Sequence, residues 1–213
     1  MDVRDLLYIR RCKGRPLTQE ELEFLSWHDA SDMDLRGIDC SGMDMTDYFL
    51  DGGDFDYSNF SGVTLHLLCG AGLKGCCFEG ADLEECDFQS CEAEKAHFEK
   101  ANMAYCFLSC VNLEKASFRD ATLRNGKIED CNLYGADLRN ADMRGCDLQN
   151  TCWPLSRRSY GVRADRRIFS QLAHHLCQLV VEDEECKAAQ DALRKLASEF
   201  EYTYEDWPPL TDD

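Results

Sequence analysis

Side chains able to do chemistry are abundant in this sequence, but few are spaced to act together. His174, His175 and Cys177 crowd one segment of helical periodicity, with Cys186 further on. Zinc needs four converging ligands, and on an amphipathic helix these groups read as packing residues. His28, His66 and His97 fall within no nucleophile or metal motif. The 41 Asp and Glu side chains offer many pairs for acid–base work, yet a solvated acidic surface is the ordinary meaning of such a surplus. No glycine loop is placed to cradle a phosphate. The expectation is a protein without catalysis, cofactor or metal.

The cysteines point the same way once their spacing is read. Cys76, Cys86, Cys91, Cys106, Cys131 and Cys146 each stand two residues before a large apolar residue, where other units hold Ala, Val or Gly. The large series recurs at every fifth position: Leu73, Phe78, Leu83, Phe88, Ala93, Phe98, Met103, Leu108, Leu113, Phe118, Leu123, Ile128, Leu133, Leu138, Met143 and Leu148. Only Ala93 breaks it. A period of five fits neither helix nor strand. It marks a repeat architecture, in which each unit buries its apolar residues by stacking on its neighbours. The cysteines then act as small buried hydrophobes, and reduced thiols imply a cytoplasmic location.

The triplets Ala81-Asp82-Leu83, Ala101-Asn102-Met103, Ala136-Asp137-Leu138 and Ala141-Asp142-Met143 resemble the signature Ala-(Asp/Asn)-Leu-x-x of the pentapeptide-repeat family, over roughly residues 33–150. The resemblance implies a mainly β fold: a right-handed, quadrilateral parallel β-helix with four pentapeptides per coil. The large centre and the small residue two before it would point inward, and the other three positions outward. At a strand spacing of roughly 4.8 Å, about six coils make a rod on the order of 30 Å long. Positions twenty apart then stack. Phe78, Phe98 and Phe118 form one ladder, continued by Leu138, and Leu73, Ala93, Leu113 and Leu133 another, with a void expected at Ala93.

Leu35, Cys40, Met45, Leu50, Phe55, Phe60 and Leu65 continue the period towards the N-terminus, with looser partners such as Met33, Ile38, Met43 and Tyr48. Between Leu65 and Leu73 the register slips around His66–Gly70, where a bulge or short external loop is expected. Thr18-Gln19-Glu20-Glu21 reads as a capping box for a short helix, and Val3–Leu7 as a further turn. Beyond Trp153-Pro154, Ile168, Leu172, Leu176 and Leu179 share one helical stripe. Asp183 can cap a second helix carrying Ala189, Leu193, Leu196 and Phe200, completing an antiparallel hairpin. The division is therefore a helical cap at 1–32, the repeat at 33–152, and a C-terminal hairpin with irregular tail at 153–213. Solenoid ends need covering, which is the first reading of both helical regions. Quinolone-resistance members of the family pair through a C-terminal helix, which makes a monomer or a homodimer through the C-terminal helices the expected states. The Cys152–Leu155 junction and Asp165-Arg166-Arg167 are similar to tails on bacterial and prophage members.

Charge bounds the partners. The chain has 213 residues, enough to bury a core, and a net charge of −18. Direct nucleic-acid binding and docking on an anionic membrane are therefore disfavoured, and neither a membrane-spanning run nor a signal pattern is visible. Residues 33–99 carry fifteen acidic and three basic side chains, whereas residues 100–150 carry seven of each. Asp34, Asp39, Asp44, Asp54, Asp82 and Asp87 each precede an inward centre and form the candidate partner-binding acidic face. Arg157, Arg158, Arg163, Arg166 and Arg167 make a small basic cluster after the repeat. The expected function is a non-catalytic protein-interaction scaffold. The alternative implied by the resemblance is a mimic of DNA that occupies a type II topoisomerase such as gyrase, either inhibiting it or protecting it from quinolones.

Overall fold

The computed structural model describes residues 15–18, 20–21, 35–48, 51–152, 161–164, 168, 187–189, 191–193 and 195. Asp34, Leu50, His28, His174, His175, Cys177, Cys186, the tail, and most of the arginine cluster and C-terminal hairpin lie outside them.

Most repeat units turn a corner in the same way. The carbonyl of the centre accepts a hydrogen bond from the N–H three residues on, as in Cys76 to Leu73 and Ala81 to Phe78, both at 3.1 Å. The third residue of each such turn has a positive φ, near +60° at Gly75, Glu85 and Lys95, as a type II turn requires. Thirteen non-glycine residues among the described residues adopt this positive φ. Each costs on the order of 1 kcal/mol, which the packing of the coils offsets.

The corners close a four-sided coil. Isolated parallel bridges join Gly72, Glu92, Asn112, Asn132 and Cys152 on side I; Cys77, His97, Ser117 and Asp137 on side II; and Asp82, Asn102, Thr122, Asp142 and Arg163 on side III. Side IV is a regular parallel sheet of five strands, β1 (Leu67–Cys69), β2 (Asp87–Gln89), β3 (Phe107–Ser109), β4 (Lys127–Glu129) and β5 (Asp147–Gln149). Five stacked strands span four coils. The sequence estimate of about six counted the N-terminal units too, which join only through single bridges such as Asp39 to Asn59 and Asp44 to Thr64.

The corner after side IV is different, and the sequence adapts to it. Its bend has no turn bond of the Leu73–Cys76 kind, and in three coils the residue that follows sends a side-chain donor to a carbonyl one coil below, as Cys76 and Cys146 also do at turn-bonded corners. Cys91 Sγ reaches Leu68 O at 2.9 Å, Cys131 Sγ reaches Leu108 O at 3.5 Å, and Thr151 Oγ1 reaches Ile128 O at 3.0 Å. A small side chain fits the corner, and a small donor also satisfies it.

The inward positions build one continuous core in which the centres from Leu73 to Leu148 are buried. Phe60, Phe78, Phe98 and Phe118 stack on side II with centroids 5.0 Å apart and planes within 7° of parallel. Each such pair adds roughly 0.5–1.5 kcal/mol to simple burial. Phe88 crosses from side IV to meet the Phe78 and Phe98 rings edge-on at 6.2 Å. Its equivalents on side IV are Leu68, Leu108, Ile128 and Leu148, so its coil carries one ring more. Ala93, the one small centre, follows on the next side and is fully buried.

The interruption at His66–Gly70 is neither a bulge nor an external loop. Leu68 is fully buried and serves as the centre of side IV, only three residues after Leu65. Bridges across this coil therefore join residues eighteen apart, such as Asp54 to Gly72 and Asn59 to Cys77. The coil has lost a corner turn of the Leu83–Cys86 kind. In the other coils the carbonyl at the position of Glu84 accepts a backbone N–H from the coil below, as Glu94 O does from Gly75. Here His66 Nδ1 lies 3.2 Å from Glu84 O and takes that place.

At the N-terminal end Leu17 is buried and its N–H bonds Asp39 O at 2.8 Å. Thr18 and Glu21 make the expected capping box, with Thr18 N–H to Glu21 Oε2 at 2.8 Å and the return bond at 3.4 Å. At the other end Arg163 pairs with Asp142, and Ile168 is buried in the core. Residues 187–189, 191–193 and 195 are helical, with Ala189 exposed and Leu193 half-buried. No helix among the described residues is long and apolar enough to cross a membrane.

Candidate interaction surface

On sides I to III an Asp or Asn before a centre has a structural role. Its Oδ1 accepts the backbone N–H two residues on, bracketing the inward side chain. Asp39 takes Ser41 N–H at 3.0 Å, Asp44 takes Thr46 at 3.1 Å, Asp54 takes Asp56 at 3.2 Å and Asp82 takes Glu84 at 3.4 Å. Amides one coil above reach the same oxygens, Asn59 to Asp39 at 3.1 Å and Asn102 to Asp82 at 3.0 Å. Thr46 supplies both its hydroxyl and its N–H to Asp44, which holds that carboxyl below its ordinary value. These Asx turns compete well with water because they are local.

The six candidate aspartates do not form one face. Asp54 lies on side I, Asp39 on side II, Asp44 and Asp82 on side III, and Asp87 on side IV. Asp34 is outside the described residues. Asp87 differs from the rest, since its Oδ2 accepts from Gln89 at 2.8 Å while its Oδ1 is shielded without a hydrogen-bond partner. The acidity is instead a band that encircles the N-terminal half of the rod.

Ion pairs separate the two halves more sharply than formal charge does. Towards the C-terminus Glu129 meets Lys127 at 2.6 Å, Glu114 meets Lys115, Asp137 meets Arg139, and Asp142 sits between Arg144 at 2.7 Å and Arg163 at 3.4 Å. Burial raises the Asp142 pKa, but hydrogen bonds from Arg144 outweigh it and the net shift is downward. In the N-terminal half Lys95 and Lys74 hold Glu94 down to about 2, and Lys100 lowers Glu79. Asp39, Asp56, Asp82, Glu84, Glu85, Asp87 and Glu92 meet no lysine or arginine among the described residues. Glu84 and Glu85, which follow the centre Leu83, and Glu92, which precedes the centre Ala93, were not among the six aspartates that the sequence reading singled out. The signal was available: positions just after the centre carry no bracketing duty, so their charge is free.

Groups with chemical potential are placed quietly. His97 Nδ1 lies 3.2 Å from Glu99 Oε1 on the rim of a groove of about 360 Å³ on side II, lined also by Cys77, Lys100 and Arg119. Cys77 Sγ is 3.0 Å from Ser61 Oγ. Among the described residues no three His, Cys, Asp or Glu side chains are grouped to hold a metal ion. Burial pushes the Cys76 and Cys106 thiols up to about 12 and those of Cys91 and Cys131 up to about 11, and Cys40 and Cys86 higher still. Such thiols are poor nucleophiles.

Residues 71–153 match the family described as pentapeptide repeat region. No curated protein matches the chain. Among solved structures, the pentapeptide repeat protein Rfr23 from the cyanobacterium Cyanothece 51142 is 20% identical over 56% of this chain and 87% of its own, with a TM-score of 0.40. Full-length QnrB1, a plasmid-mediated fluoroquinolone resistance protein, is 20% identical over 70% of this chain and 93% of its own, with a TM-score of 0.36. HetL, a pentapeptide repeat protein involved in heterocyst differentiation regulation from Nostoc sp. strain PCC 7120, is 15% identical over 70% of this chain and 97% of its own, with a TM-score of 0.22.

Proposed function

Since residues 71–153 are a region of the pentapeptide-repeat family, we propose that the chain is a non-catalytic interaction scaffold whose N-terminal half binds a basic protein. The observation that carries this reading is the set of carboxylates Asp39, Asp56, Asp82, Glu84, Glu85, Asp87 and Glu92, which meet no lysine or arginine among the described residues. Like charges held on a rigid rod repel one another, and a basic partner relieves that repulsion on binding. Such binding weakens steeply with salt, because the Debye length falls from about 10 Å at 0.1 M to about 3 Å at 1 M.

The test is a variant that removes charge but keeps the Asx turns. Asp82→Asn, Glu84→Gln, Glu85→Gln and Glu92→Gln together leave Oδ1 of residue 82 free to accept, whereas Asp→Lys at these turns would remove the acceptor. Loss of the partner by this variant, with an unchanged melting temperature, supports the reading. Undiminished binding refutes it.

The same carboxylates carry a second reading, occupation of the DNA-binding surface of a type II topoisomerase. It is favoured by acidic residues recurring at every second rung on two sides, Asp54 and Glu92 on side I and Asp44 and Asp82 on side III. Inhibition of gyrase supercoiling by the wild type and not by the fourfold variant is its expected outcome; no inhibition at tens of micromolar removes it and leaves the scaffold reading standing.

A further inference from the structure

Side III changes sign along the rod within three successive rungs. Asp82, Asn102 and Thr122 are bridged in register, so Glu84, Ala104 and Arg124 occupy one column, with Glu85, Tyr105 and Asn125 beside them. Glu84 and Glu85 are exposed and meet no cation among the described residues. Arg124 has no carboxylate partner there either, and its Nε is shielded without a hydrogen bond. Two rungs, about 10 Å at strand spacing, separate the opposite charges, too far for them to pair within one chain. Between them Ala104 offers no bulk, and Tyr105, 51% exposed, is one of the few large apolar side chains left in solvent.

We propose that side III is a self-complementary surface on which a second copy of the chain lies antiparallel. A two-fold axis through the Ala104–Tyr105 rung sets Glu84 of each copy against Arg124 of the other and brings the two Tyr105 rings together. A two-fold contact needs this arrangement, since one patch must serve as its own partner. The next rungs out add no conflict: His66 faces Arg144 of the second copy, whose charge Asp142 already neutralises at 2.7 Å. The surface is small, on the order of 25 Å by 10 Å per copy, so the dimer is transient and electrostatic. It is independent of the basic partner proposed above and of the C-terminal helices.

Sedimentation equilibrium of the full chain tests this. At about 100 µM protein the mass is expected to approach a dimer's at ~20 mM salt and a monomer's at ~500 mM. Glu84→Arg and Arg124→Glu should each be monomeric at low salt, because each sets like charges face to face. Mixed in equal amounts they should associate again, since both halves of the contact then pair opposite charges, one of them with its signs exchanged. Glu85→Arg is a second acidic-side variant, free of the hydrogen bond that Glu84 accepts from Asn102; circular dichroism confirms that each variant is folded. A monomeric wild type at low salt, single variants that still dimerise, or a mixture that stays monomeric would each overturn the proposal.

Discussion

A single residue in this fold is judged by the corner it occupies. At the third turn position the backbone demands a positive φ, which glycine supplies freely and glutamate does not. Glu85→Gly is therefore expected to stabilise the chain by about 0.5–1 kcal/mol, and Gly80→Ala, whose added Cβ meets nothing within 4 Å, to destabilise it by a similar amount. Urea midpoints of the two variants check both signs. The inward cysteines give a pH dependence. Their folded pKa values lie above the ordinary thiol value of 9.0, so the stability they confer is complete below pH 9 and is lost as pH rises towards the folded values of about 11 to 12. At pH 10 each costs on the order of 1 kcal/mol. The chain should melt near pH 10, and Cys→Ala at Cys76, Cys106 and Cys131 should move that midpoint upward. An unchanged midpoint would remove thiol ionisation as the cause.

At the scale of the coil, volume is shared among the four centres. Ala93→Leu should cost about 1–3 kcal/mol by overpacking the coil that Phe88 already crowds. Phe88→Leu should relieve it, so that the double variant is more stable than the sum of the single changes, a coupling that thermal melts of the cycle measure directly. The coil is also where sequence reading was strongest and where it ran out. Period and small-residue spacing marked the repeat and its centres, and the family resemblance supplied the four sides and with them the Phe78–Phe98–Phe118 ladder. The period alone did not show Leu68 as a centre, since a side shortened by two residues breaks the spacing that identifies centres. Nor did it show that Asp39, Asp54 and Asp82 bracket the backbone, because an Asx turn and a free surface carboxylate look alike in sequence. Ala93 was legible as an exception, but the contact of Phe88 with the rings of side II required knowing which sides face each other.

The repeat, over the described residues, is a rod with two electrostatic halves. Reading the aspartates by position suggested one acidic face; stacking distributes them over four sides, and ion pairs such as Lys127–Glu129 and Arg144–Asp142 quieten the C-terminal half. What remains is an N-terminal band with seven carboxylates, from Asp39 to Glu92, that meet no lysine or arginine among the described residues, and the account stands on that band being the working surface. The most direct measurement is retention of proteins from a cell extract by three immobilised forms of the chain. They are the wild type, the fourfold N-terminal variant, and a control neutralised at Glu114, Asp120, Glu129 and Asp137. The account expects a basic protein held by the wild type and the control, released between about 0.1 and 0.5 M salt, and absent from the N-terminal variant. Equal retention by the N-terminal variant, or loss only in the control, would contradict it.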